Sequence, residues 1–388
     1  MESFKGVDFY EIDELFSSEQ KMVRKTVRDF VQKEILPIIR DHFEQATFPR
    51  HLIPTMAELG LLGAQLKGYG CAGLDSISYG LIMQELERGD SGLRSFVSVQ
   101  GALVMYPILT FGSEAQKEQW LPSLQQGKAI GCFGLTEPSA GSDPGSMRTK
   151  AEKKGNEYIL NGSKAWITNG SVADVAVVWA KTQEGIRGFL VEKGTPGFEA
   201  RDIKGKFSLR ASVTSELFFQ DCKIPATHLL PKTEGLKSAL MCLNQARYGI
   251  VWGVIGAAME CYHQALSYAK ERKAFNKPLA SFQLIQRKLS WMIEEITKAQ
   301  LLAWRLGQLK DKGRIKHYQI SLGKRNNCWM ALEIAREARD LLGANGTAYD
   351  FPVGRHMCNL EAVKTYEGTD DIHRLIVGEA ITGHAAFA

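Results

Sequence analysis

The hydrophobic pattern of this 388-residue chain changes twice along its length, and that change constrains the fold more than any other sequence feature. Apolar residues recur at helical steps up to about residue 128, form short strand-like runs to about 234, and then return to helical steps. We therefore predict an α+β protein with an N-terminal α-helical domain (1–128), a middle antiparallel β domain (129–234) and a C-terminal α-helical bundle (235–388).

Three helices are predicted in the N-terminal section. Ser17 and Gln20 have the spacing of a capping box, and the helix that begins there is expected to run to Pro37. The second and third helices are predicted over 54–62 and 76–87.

Two other N-terminal segments need separate interpretation. The glycines of 68–73 spell GxGxxG, but no strand leads into them and no helix of a βαβ unit follows, so we interpret them as loop glycines. The 19 residues of 95–113 carry no charge, but Gln100 and Pro107 are among several residues that dilute their hydrophobicity. We predict a buried helix there, and no membrane span.

The middle section is predicted to form strands over 175–180, 188–192 and 216–219. Asn161-Gly162 lies between two apolar runs and predicts a tight hairpin turn. The C-terminal section is predicted to form helices over 247–260, 281–309, 318–342 and 370–381. The glycines of 343–346 are expected to end the third of these helices.

Composition and charge exclude several classes of protein. With 44% hydrophobic and 23% charged residues, the chain has the composition of an ordinary folded protein. The net charge of +5 is small for this length, and no block of like charge occurs, so we expect no nucleic-acid partner. The seven cysteines are an odd number without metal-ligand spacing, which indicates free core thiols in a reducing compartment and no metal site.

The N-terminal residues show neither the apolar core of a secretory signal nor an Arg-rich transit peptide. We therefore expect a cytoplasmic protein if the source is bacterial. If the source is eukaryotic, we expect the processed form of a mitochondrial matrix protein.

Two polar segments remain ambiguous from the residues alone. The chain has no Walker A, HExxH or GxSxG pattern, so a hydrolase or nucleoside triphosphatase has no support. Residues 136–144 offer hydroxyl and backbone N–H groups that suit an anionic or uracil-like ligand, but they would also serve as a polar turn between domains. Glu367 could be a partly desolvated base, or it could simply precede a helix capped by Thr369.

Four separated motifs together resemble those of the acyl-CoA dehydrogenase flavoproteins. They are TEPxxGSD at 136–143, WITN at 166–169, RxxF at 272–275 and YEGT at 366–369. The resemblance covers nearly the whole chain and has the same helical, β, helical order. Within the family, the segments 85–95, 206–212 and 244–250 are most similar to those of the glutaryl-CoA dehydrogenases.

The resemblance implies FAD as the cofactor, a homo-oligomer expected to be a tetramer, and electron transfer to an electron-transferring flavoprotein. Glu367 is implied to be the catalytic base, and no carboxylate occurs between Glu234 and Glu260, where some relatives place it. The residues implied to bind glutaryl-CoA are Glu87, Arg94, Ser95, Ser142, Leu243, Asn244, Arg247, Tyr366 and Gly368. Those implied to bind FAD are Phe133, Leu135, Thr136, Gly141, Ser142, Trp166, Ile167, Thr168, Arg272, Phe275, Gln283, Leu342, Gly343, Ala344 and Thr369.

Arg94 is implied to select the substrate, because an arginine at the end of an apolar acyl pocket is costly unless it meets an anion. The resemblance implies oxidation and decarboxylation of glutaryl-CoA to crotonyl-CoA and carbon dioxide. The alternatives are a short-chain acyl-CoA oxidase, a non-decarboxylating dehydrogenase, or a binding protein that has kept the fold without flavin. Without the motifs, Arg94 would be interpreted as a surface arginine and Trp166 as part of the β-domain core.

Three residues depart from the family pattern. Asn276 occupies the position of a usual glycine, Leu93 that of a frequent aromatic residue, and Gly89 that of a common valine. These departures leave the loop geometry and the pocket shape open.

Overall fold

The computed structural model describes residues 4–386, in which helices, a β-sheet and helices again follow one another along the chain. The predicted α+β class is therefore confirmed. Residues 1–3, part of the segment assessed above for a targeting signal, lie outside the described residues. The N-terminal elements are α1 (Ser18–Phe30), α2 (Leu36–Gln45), α3 (Ile53–Glu58), β1 (Lys67–Gly68), β2 (Cys71–Ala72), α4 (Ser76–Gly89), α5 (Ser91–Ser98), α6 (Tyr106–Phe111) and α7 (Glu114–Gln125).

The predicted capping box is present at the start of α1. The Ser17 hydroxyl accepts a hydrogen bond from the Gln20 backbone N–H at 3.2 Å, and the Gln20 side chain accepts one from the Ser17 N–H at 3.0 Å.

The predicted GxGxxG loop is also confirmed, because β1 and β2 pair as a short antiparallel hairpin around it. The helix predicted over 54–62 ends early, at Glu58, because Gly60 (φ 70°) turns the chain there.

Two prolines lie within continuous helical segments. A π-helical turn, Val31–Ile35, precedes Pro37 and joins α1 to α2, and a second one, Val99–Met105, precedes Pro107 and joins α5 to α6. A proline removes one backbone donor and crowds the preceding turn, and the wider π turn accommodates this without a break. The prediction that the first helix stops at Pro37 was therefore wrong.

The uncharged segment forms a core helix, as predicted. The stretch Ser91–Phe111 is long and apolar enough by composition to cross a membrane, but 89% of its apolar window is buried inside the protein. Such burial is what a core helix of a folded protein shows.

The middle section forms one seven-stranded sheet in the spatial order β3-β6-β4-β5-β9-β8, with β7 paired to β6. Most neighbours are antiparallel, but β3 and β4 both pair with β6 in parallel, so the sheet is mixed and not purely antiparallel as predicted. Its strands are β3 (Gly131–Gly134), β4 (Lys150–Lys154), β5 (Glu157–Thr168), β6 (Val175–Thr182), β7 (Gly185–Glu192), β8 (Phe198–Asp202) and β9 (Thr214–Pro225).

The hairpin predicted at Asn161-Gly162 was wrong. Gly162 lies inside the continuous strand β5, at a register shift against β9, and the turn between β4 and β5 falls at Gly155-Asn156 instead. Gly162 has a φ of 144°, and a Cβ there would lie 2.6 Å from the Cα of Thr149. The glycine is therefore needed for a bulge and a close backbone approach.

The C-terminal section begins with the 37-residue helix α8 and continues as a helical bundle. The sequence pattern missed α11, which leads directly to Tyr366 and Glu367. Short 3-10 turns occur at Ile12–Leu15, Arg50–Leu52, Pro144–Ser146, Gly170–Val172, Ala226–His228, Leu279–Ser281 and Gly343–Thr347. The remaining elements are α8 (Gly235–Glu271), β10 (Lys273–Ala274), β11 (Lys277–Pro278), α9 (Gln283–Asp311), α10 (His317–Leu341), α11 (Pro352–Thr365) and α12 (Asp370–Thr382).

The largest hydrophobic core joins the N-terminal helices to the C-terminal bundle, and glycines set the closest approach in it. On α8, a Cβ at Gly253 would overlap the carboxylate of Glu87, and one at Gly256 would overlap the backbone carbonyl of Gln84. Helix α8 therefore packs on α4 at backbone contact, which fixes the position of Glu87.

We predict that Gly256→Ala destabilises the protein by about 3 kcal/mol, because the added methyl group would push against backbone that cannot rotate away. The matched control is Gly378→Ala, also in a helix, where a Cβ meets nothing within 4 Å. That change should be neutral or stabilising by up to about 1 kcal/mol. Thermal unfolding of both variants checks the difference, and equal midpoints would contradict the packing argument.

Candidate active site

The loop that carries Glu367 connects α11 to α12 and has an unusual backbone. Glu367 has a φ of 55° and Gly368 one of 101°, both in the left-handed region that most residues avoid. The N-cap predicted for the next helix is present, since the Thr369 hydroxyl accepts a hydrogen bond from the Ile372 N–H at 3.3 Å. The surrounding structure must hold Glu367 in this conformation.

Two buried cations bind the carbonyl groups of this loop. Arg247, on α8, donates from Nε to the Glu367 carbonyl at 2.8 Å, and its Nη1 lies 3.3 Å from Asn244 Oδ1. Lys324, on α10, donates from Nζ to the Gly368 carbonyl at 2.6 Å and also to the Tyr366 carbonyl. The three consecutive carbonyls of 366–368 therefore all face a cation.

The Glu367 carboxylate is poised as a base. Its Oε2 atom is sealed from solvent and has no hydrogen-bond partner among residues 4–386. Burial raises the pKa of Glu367 above its ordinary value of 4.5, and the positive charges of Lys324, Arg94 and Arg247 offset part of that rise. A carboxylate in this environment is more basic than one in water.

Arg94 is fully buried, which excludes its interpretation as a surface residue. Its Nε donates to Glu87 Oε2 at 2.7 Å, and its Nη2 donates to the Tyr366 hydroxyl. Burial raises the pKa of Glu87, and Arg94 offsets part of that rise. Glu87 Oε1 is buried and has no hydrogen-bond partner in the described part of the chain. Ser95, the residue after Arg94, is also buried. Arg94, Glu87 and Tyr366 thus form one polar group next to Glu367.

Asp90 positions the helix that carries Arg94. Its carboxylate caps α5 by accepting the Gly92 N–H at 2.7 Å, and it binds Arg355 Nη1 at 2.6 Å and Asn359 Nδ2 at 2.9 Å, both on α11. Asn359 Oδ1 accepts the backbone N–H of Leu209 from the middle section at 2.7 Å. One buried network therefore connects three parts of the chain around Arg94.

A second group of predicted residues surrounds the loop after β3. Glu137 is buried and accepts hydrogen bonds from the backbone N–H groups of Arg148 at 2.6 Å and Thr149 at 2.9 Å. It also accepts one from Lys164 Nζ at 2.9 Å, and Lys164 donates to the Leu135 carbonyl at 3.1 Å. Burial opposes ionisation of Glu137, but these hydrogen bonds and Lys164 outweigh it and lower the pKa to about 2. The ion pair therefore fixes both ends of the polar loop.

The loop itself is open at its tip. Leu135 is buried, Thr136 is half-buried, and Gly141 and Ser142 are exposed. Phe133, in β3 and two positions before Leu135, packs against Trp179 at a ring-centroid distance of 6.0 Å. The tip is thus free to present hydroxyl and N–H groups to a ligand.

Trp166 is not part of the β-domain core, since 64% of its surface is exposed. It lies in β5 at a register shift and has a φ of 62°, which directs its indole away from the sheet. Ile167 is buried and Thr168 is half-buried. An aromatic ring held open beside a loop of hydroxyl and N–H donors suits a flat, polar-edged aromatic ligand such as a flavin.

The third group lies at the far end of α8. Arg272 follows that helix, Phe275 is 89% exposed at the tip of the β10–β11 hairpin, and Gln283 is exposed at the start of α9. Asn345 donates to the Tyr268 hydroxyl at 3.2 Å, which brings the 342–344 segment to the same end. Leu342 is buried, whereas Gly343 and Ala344 are exposed. Arg247 lies in α8 and Arg272 follows its last residue, 25 positions later. At the rise of an α-helix, this end of α8 is therefore about 37 Å from Arg247 and the Glu367 loop that it binds.

Two departures from the family pattern have structural explanations. Asn276 has a φ of 61°, in the left-handed region, and asparagine is one of the few residues besides glycine that adopts it readily. A Cβ at Gly89 would lie 3.0 to 3.1 Å from Ile35 and Val31, so that position packs against the first helices. Leu93 is buried in the main core.

Sequence reasoning missed Lys324 and Lys164. Both are fully buried, although lysine is normally exposed. The only signal for Lys324 was its position between Ile320 and Cys328 at helical spacing on an apolar face. A lysine on such a face is unusual enough to suggest a buried partner.

Models of three domains match nearly the whole chain. The N-terminal domain of acyl-CoA dehydrogenase matches residues 17–128, the middle domain matches 132–222, and the C-terminal domain matches 233–382.

Solved structures and a curated relative extend this similarity. A glutaryl-CoA dehydrogenase from Mycobacterium smegmatis is 54% identical with a TM-score of 0.96, covering 97% of this chain and 98% of its own. A glutaryl-CoA dehydrogenase from the same organism in complex with FADH2 is 51% identical, with a TM-score of 0.98 over 100% of both chains. The mitochondrial short-chain specific acyl-CoA dehydrogenase of Rattus norvegicus is 37% identical over 95% of this chain and 91% of its own length.

We predict that Glu137→Gln lowers the free energy of unfolding by about 3 kcal/mol at pH 7, because Lys164 would remain buried without its counter-charge. The matched control is Glu152→Gln, which breaks an exposed pair with Lys150 and should cause no measurable change. Urea denaturation measures both variants.

The pH dependence gives a second check on the Glu137 prediction. The folded pKa of Glu137 is about 2 and the ordinary value is 4.5, so its stabilising contribution is complete above pH 4.5 and declines as the pH falls toward 2. The difference between wild type and Glu137→Gln should therefore shrink below pH 4.5. A difference that stays constant down to pH 3.5 would contradict the role of the Glu137 charge.

Proposed function

The chain belongs to the acyl-CoA dehydrogenase family, whose members are FAD enzymes, and we propose that it oxidises and decarboxylates glutaryl-CoA to crotonyl-CoA and carbon dioxide. The observation that carries the proposal is the buried Arg94, hydrogen-bonded to Glu87 and Tyr366 next to the Glu367 loop. The similarity to glutaryl-CoA dehydrogenases at 51% and 54% identity supports it.

FAD would bind between the open Trp166 ring and the polar loop of 135–142. Trp166 and Thr168 would lie against the flavin ring, and Thr136 and Ser142 would supply hydrogen bonds to flavin or to the CoA chain. When bound, FAD accepts the hydrogen that leaves the β-carbon of the acyl chain together with its electron pair.

Glu367 would remove the α-proton of the thioester. An α-proton is weakly acidic, so the base must be strong and the developing negative charge on the thioester oxygen must meet donors. The raised pKa of Glu367 meets the first requirement. The backbone N–H of Glu367 would be a donor to the thioester oxygen. Arg247 and Lys324 hold the backbone of this loop through hydrogen bonds to its three carbonyls.

Arg94 would bind the distal carboxylate of the glutaryl chain. A planar guanidinium can hold a carboxylate through two hydrogen bonds. In a buried site this pairing offsets the free energy that is needed to remove the carboxylate from water. Glu87 already lies on Arg94, and its raised pKa lets it accept a proton when a second carboxylate arrives, so that like charges do not meet.

Decarboxylation would follow oxidation at the same site. In the unsaturated acyl-CoA, the bond between the γ-carbon and the carboxylate breaks, carbon dioxide leaves, and the electron pair delocalises toward the thioester carbonyl. Glu367, which now carries the abstracted proton, returns it to the γ-carbon to form crotonyl-CoA. Tyr366, hydrogen-bonded to Arg94, stays next to the departing group.

We further propose a homo-oligomer, expected to be a tetramer, with an electron-transferring flavoprotein as the electron acceptor. The separation of about 37 Å between Arg247 and Arg272 supports the oligomer, because residues so far apart cannot both serve one active site in a single subunit. Arg272, Phe275 and Gln283 would instead reach the FAD of a neighbouring subunit.

A short-chain acyl-CoA dehydrogenase that does not decarboxylate is the second candidate. The 37% identity to the short-chain specific enzyme favours it. The two candidate enzymes differ in their substrate, because the acyl chain of glutaryl-CoA carries a second carboxylate and that of an ordinary short-chain acyl-CoA does not.

We predict that anaerobic glutaryl-CoA bleaches the flavin of the purified holoenzyme and yields crotonyl-CoA, identified by mass spectrometry. Glu367→Gln should slow the bleaching by about a thousandfold, because amides do not accept protons at this pH. The matched control is Glu361→Gln, on α11 and paired with Arg336 away from the loop, which should leave the rate unchanged. Glutaconyl-CoA as the final product would refute decarboxylation, and stoichiometric peroxide under air would indicate an oxidase.

We predict that Arg94→Met lowers kcat/KM for glutaryl-CoA by about a thousandfold, the effect of removing one partner of a buried charge pair. Relative activity on pentanoyl-CoA, which has no second carboxylate, should rise. The double variant Arg94→Met with Glu87→Gln controls for the carboxylate that would be left unpaired, and the exposed Arg201→Met should change neither substrate. An equal loss on both substrates would contradict carboxylate recognition by Arg94.

A further inference from the structure

Lys324 is a buried charge that the reaction steps above do not use directly. It lies on α10 with only 1% of its surface exposed, and no carboxylate lies within salt-bridge distance of it among residues 4–386. Its partners are instead two backbone carbonyls, those of Tyr366 and Gly368.

Stability alone does not account for a lysine at this position. Burying an ammonium group without a carboxylate costs several kcal/mol, which neutral carbonyl groups offset only in part. The cost is visible in Lys324 itself, since burial lowers its pKa to about 8. A methionine of similar length would fill the same space without this penalty.

The two carbonyls that Lys324 binds lie on either side of Glu367. The third carbonyl of the segment, that of Glu367, accepts a hydrogen bond from Arg247 at 2.8 Å. Glu367 and Gly368 both have positive φ angles, and a glutamate does not keep this conformation without external support. Lys324 and Arg247 together supply that support from two different helices.

We propose that Lys324 is a positioning residue that holds the 366–368 backbone in its left-handed conformation and keeps the Glu367 carboxylate ionised by its positive charge. The proposal rests on the proposed function, because it assigns Lys324 to the base of that reaction. In this role Lys324 acts through the backbone that carries Glu367, to whose neighbouring carbonyls it is bound.

The charge acts on Glu367 together with the other groups that face it. Those groups are Tyr79 from α4, Arg94 from α5, Arg247 from α8, His373 from α12 and Tyr366 from the loop. Cys328, one turn along α10 from Lys324, stays neutral because burial raises its pKa to about 12. Removing the Lys324 cation leaves Arg94 and Arg247 in place, so Glu367 should become harder to ionise without losing all of its compensation.

The first test measures hydrogen exchange of the holoenzyme without substrate, by mass spectrometry of peptides that cover 365–370. In Lys324→Met we expect exchange in this segment to rise about tenfold, the effect of losing a hydrogen bond to a charged group. The matched control is Leu332→Ala, a buried residue two turns further along α10, which removes packing but no charge. It should leave exchange at 365–370 unchanged.

The second test measures the rate of flavin reduction against pH, between pH 5 and 7, where Lys324, with a pKa of about 8, is mostly protonated. The rate should rise as Glu367 ionises, and in Lys324→Met its midpoint should move up by about one pH unit, because a nearby positive charge favours the carboxylate. Lys324→Arg should move the midpoint back toward wild type, and Leu332→Ala should not move it. If Lys324→Met does not fold, Lys324→Gln replaces it with the same expectations.

An unchanged exchange rate or an unchanged midpoint in the charge-free variant would overturn the proposal. A wild-type flavin that no saturated acyl-CoA reduces would refute the proposed function instead. The exchange measurement needs no substrate, so it would still decide whether Lys324 holds the segment.

Discussion

At the loop of 366–368, cations from two different helices bind all three backbone carbonyls. Arg247, from α8, binds the carbonyl of Glu367, and Lys324, from α10, binds those of Tyr366 and Gly368, so each carbonyl has a partner. Arg94, from α5, adds its charge and holds the Tyr366 hydroxyl. The candidate base therefore exists only in the assembled bundle, and the close packing of α4 on α8 and the Asp90 network both serve that assembly.

Glu137 and Glu367 show how the surroundings decide what a carboxylate can do. Glu137 accepts hydrogen bonds from two backbone N–H groups and from Lys164, and its pKa falls to about 2. One oxygen of Glu367 has no partner in the described residues, and burial raises its pKa in spite of nearby cations. Hydrogen bonds that satisfy the charged form make Glu137 a structural anchor, whereas their absence leaves Glu367 able to take up a proton.

Local patterns predicted those elements whose cause is local. The capping box at Ser17 and the helix cap at Thr369 were found because the donor and acceptor are three residues apart. The helix end at Pro37 and the hairpin at Asn161-Gly162 were wrong, because a π turn and a bulge against β9 overrode the local preference. Helix α11 was missed, and three of its six buried residues are polar, among them Asn359, which binds Asp90.

The sequence by itself determined the order of helical and β sections, the free cysteines and the four motifs that identify the family, because each depends on residue types at short or fixed spacing. Only the tertiary structure decided that Arg94 is buried in an ion pair with Glu87, that the Trp166 side chain is exposed, and that Lys324 binds the backbone next to Glu367. Residues 324 and 366 are separated by more than forty positions and two further elements. Burial and long-range contacts of this kind follow from how helices pack, and no local pattern encodes them.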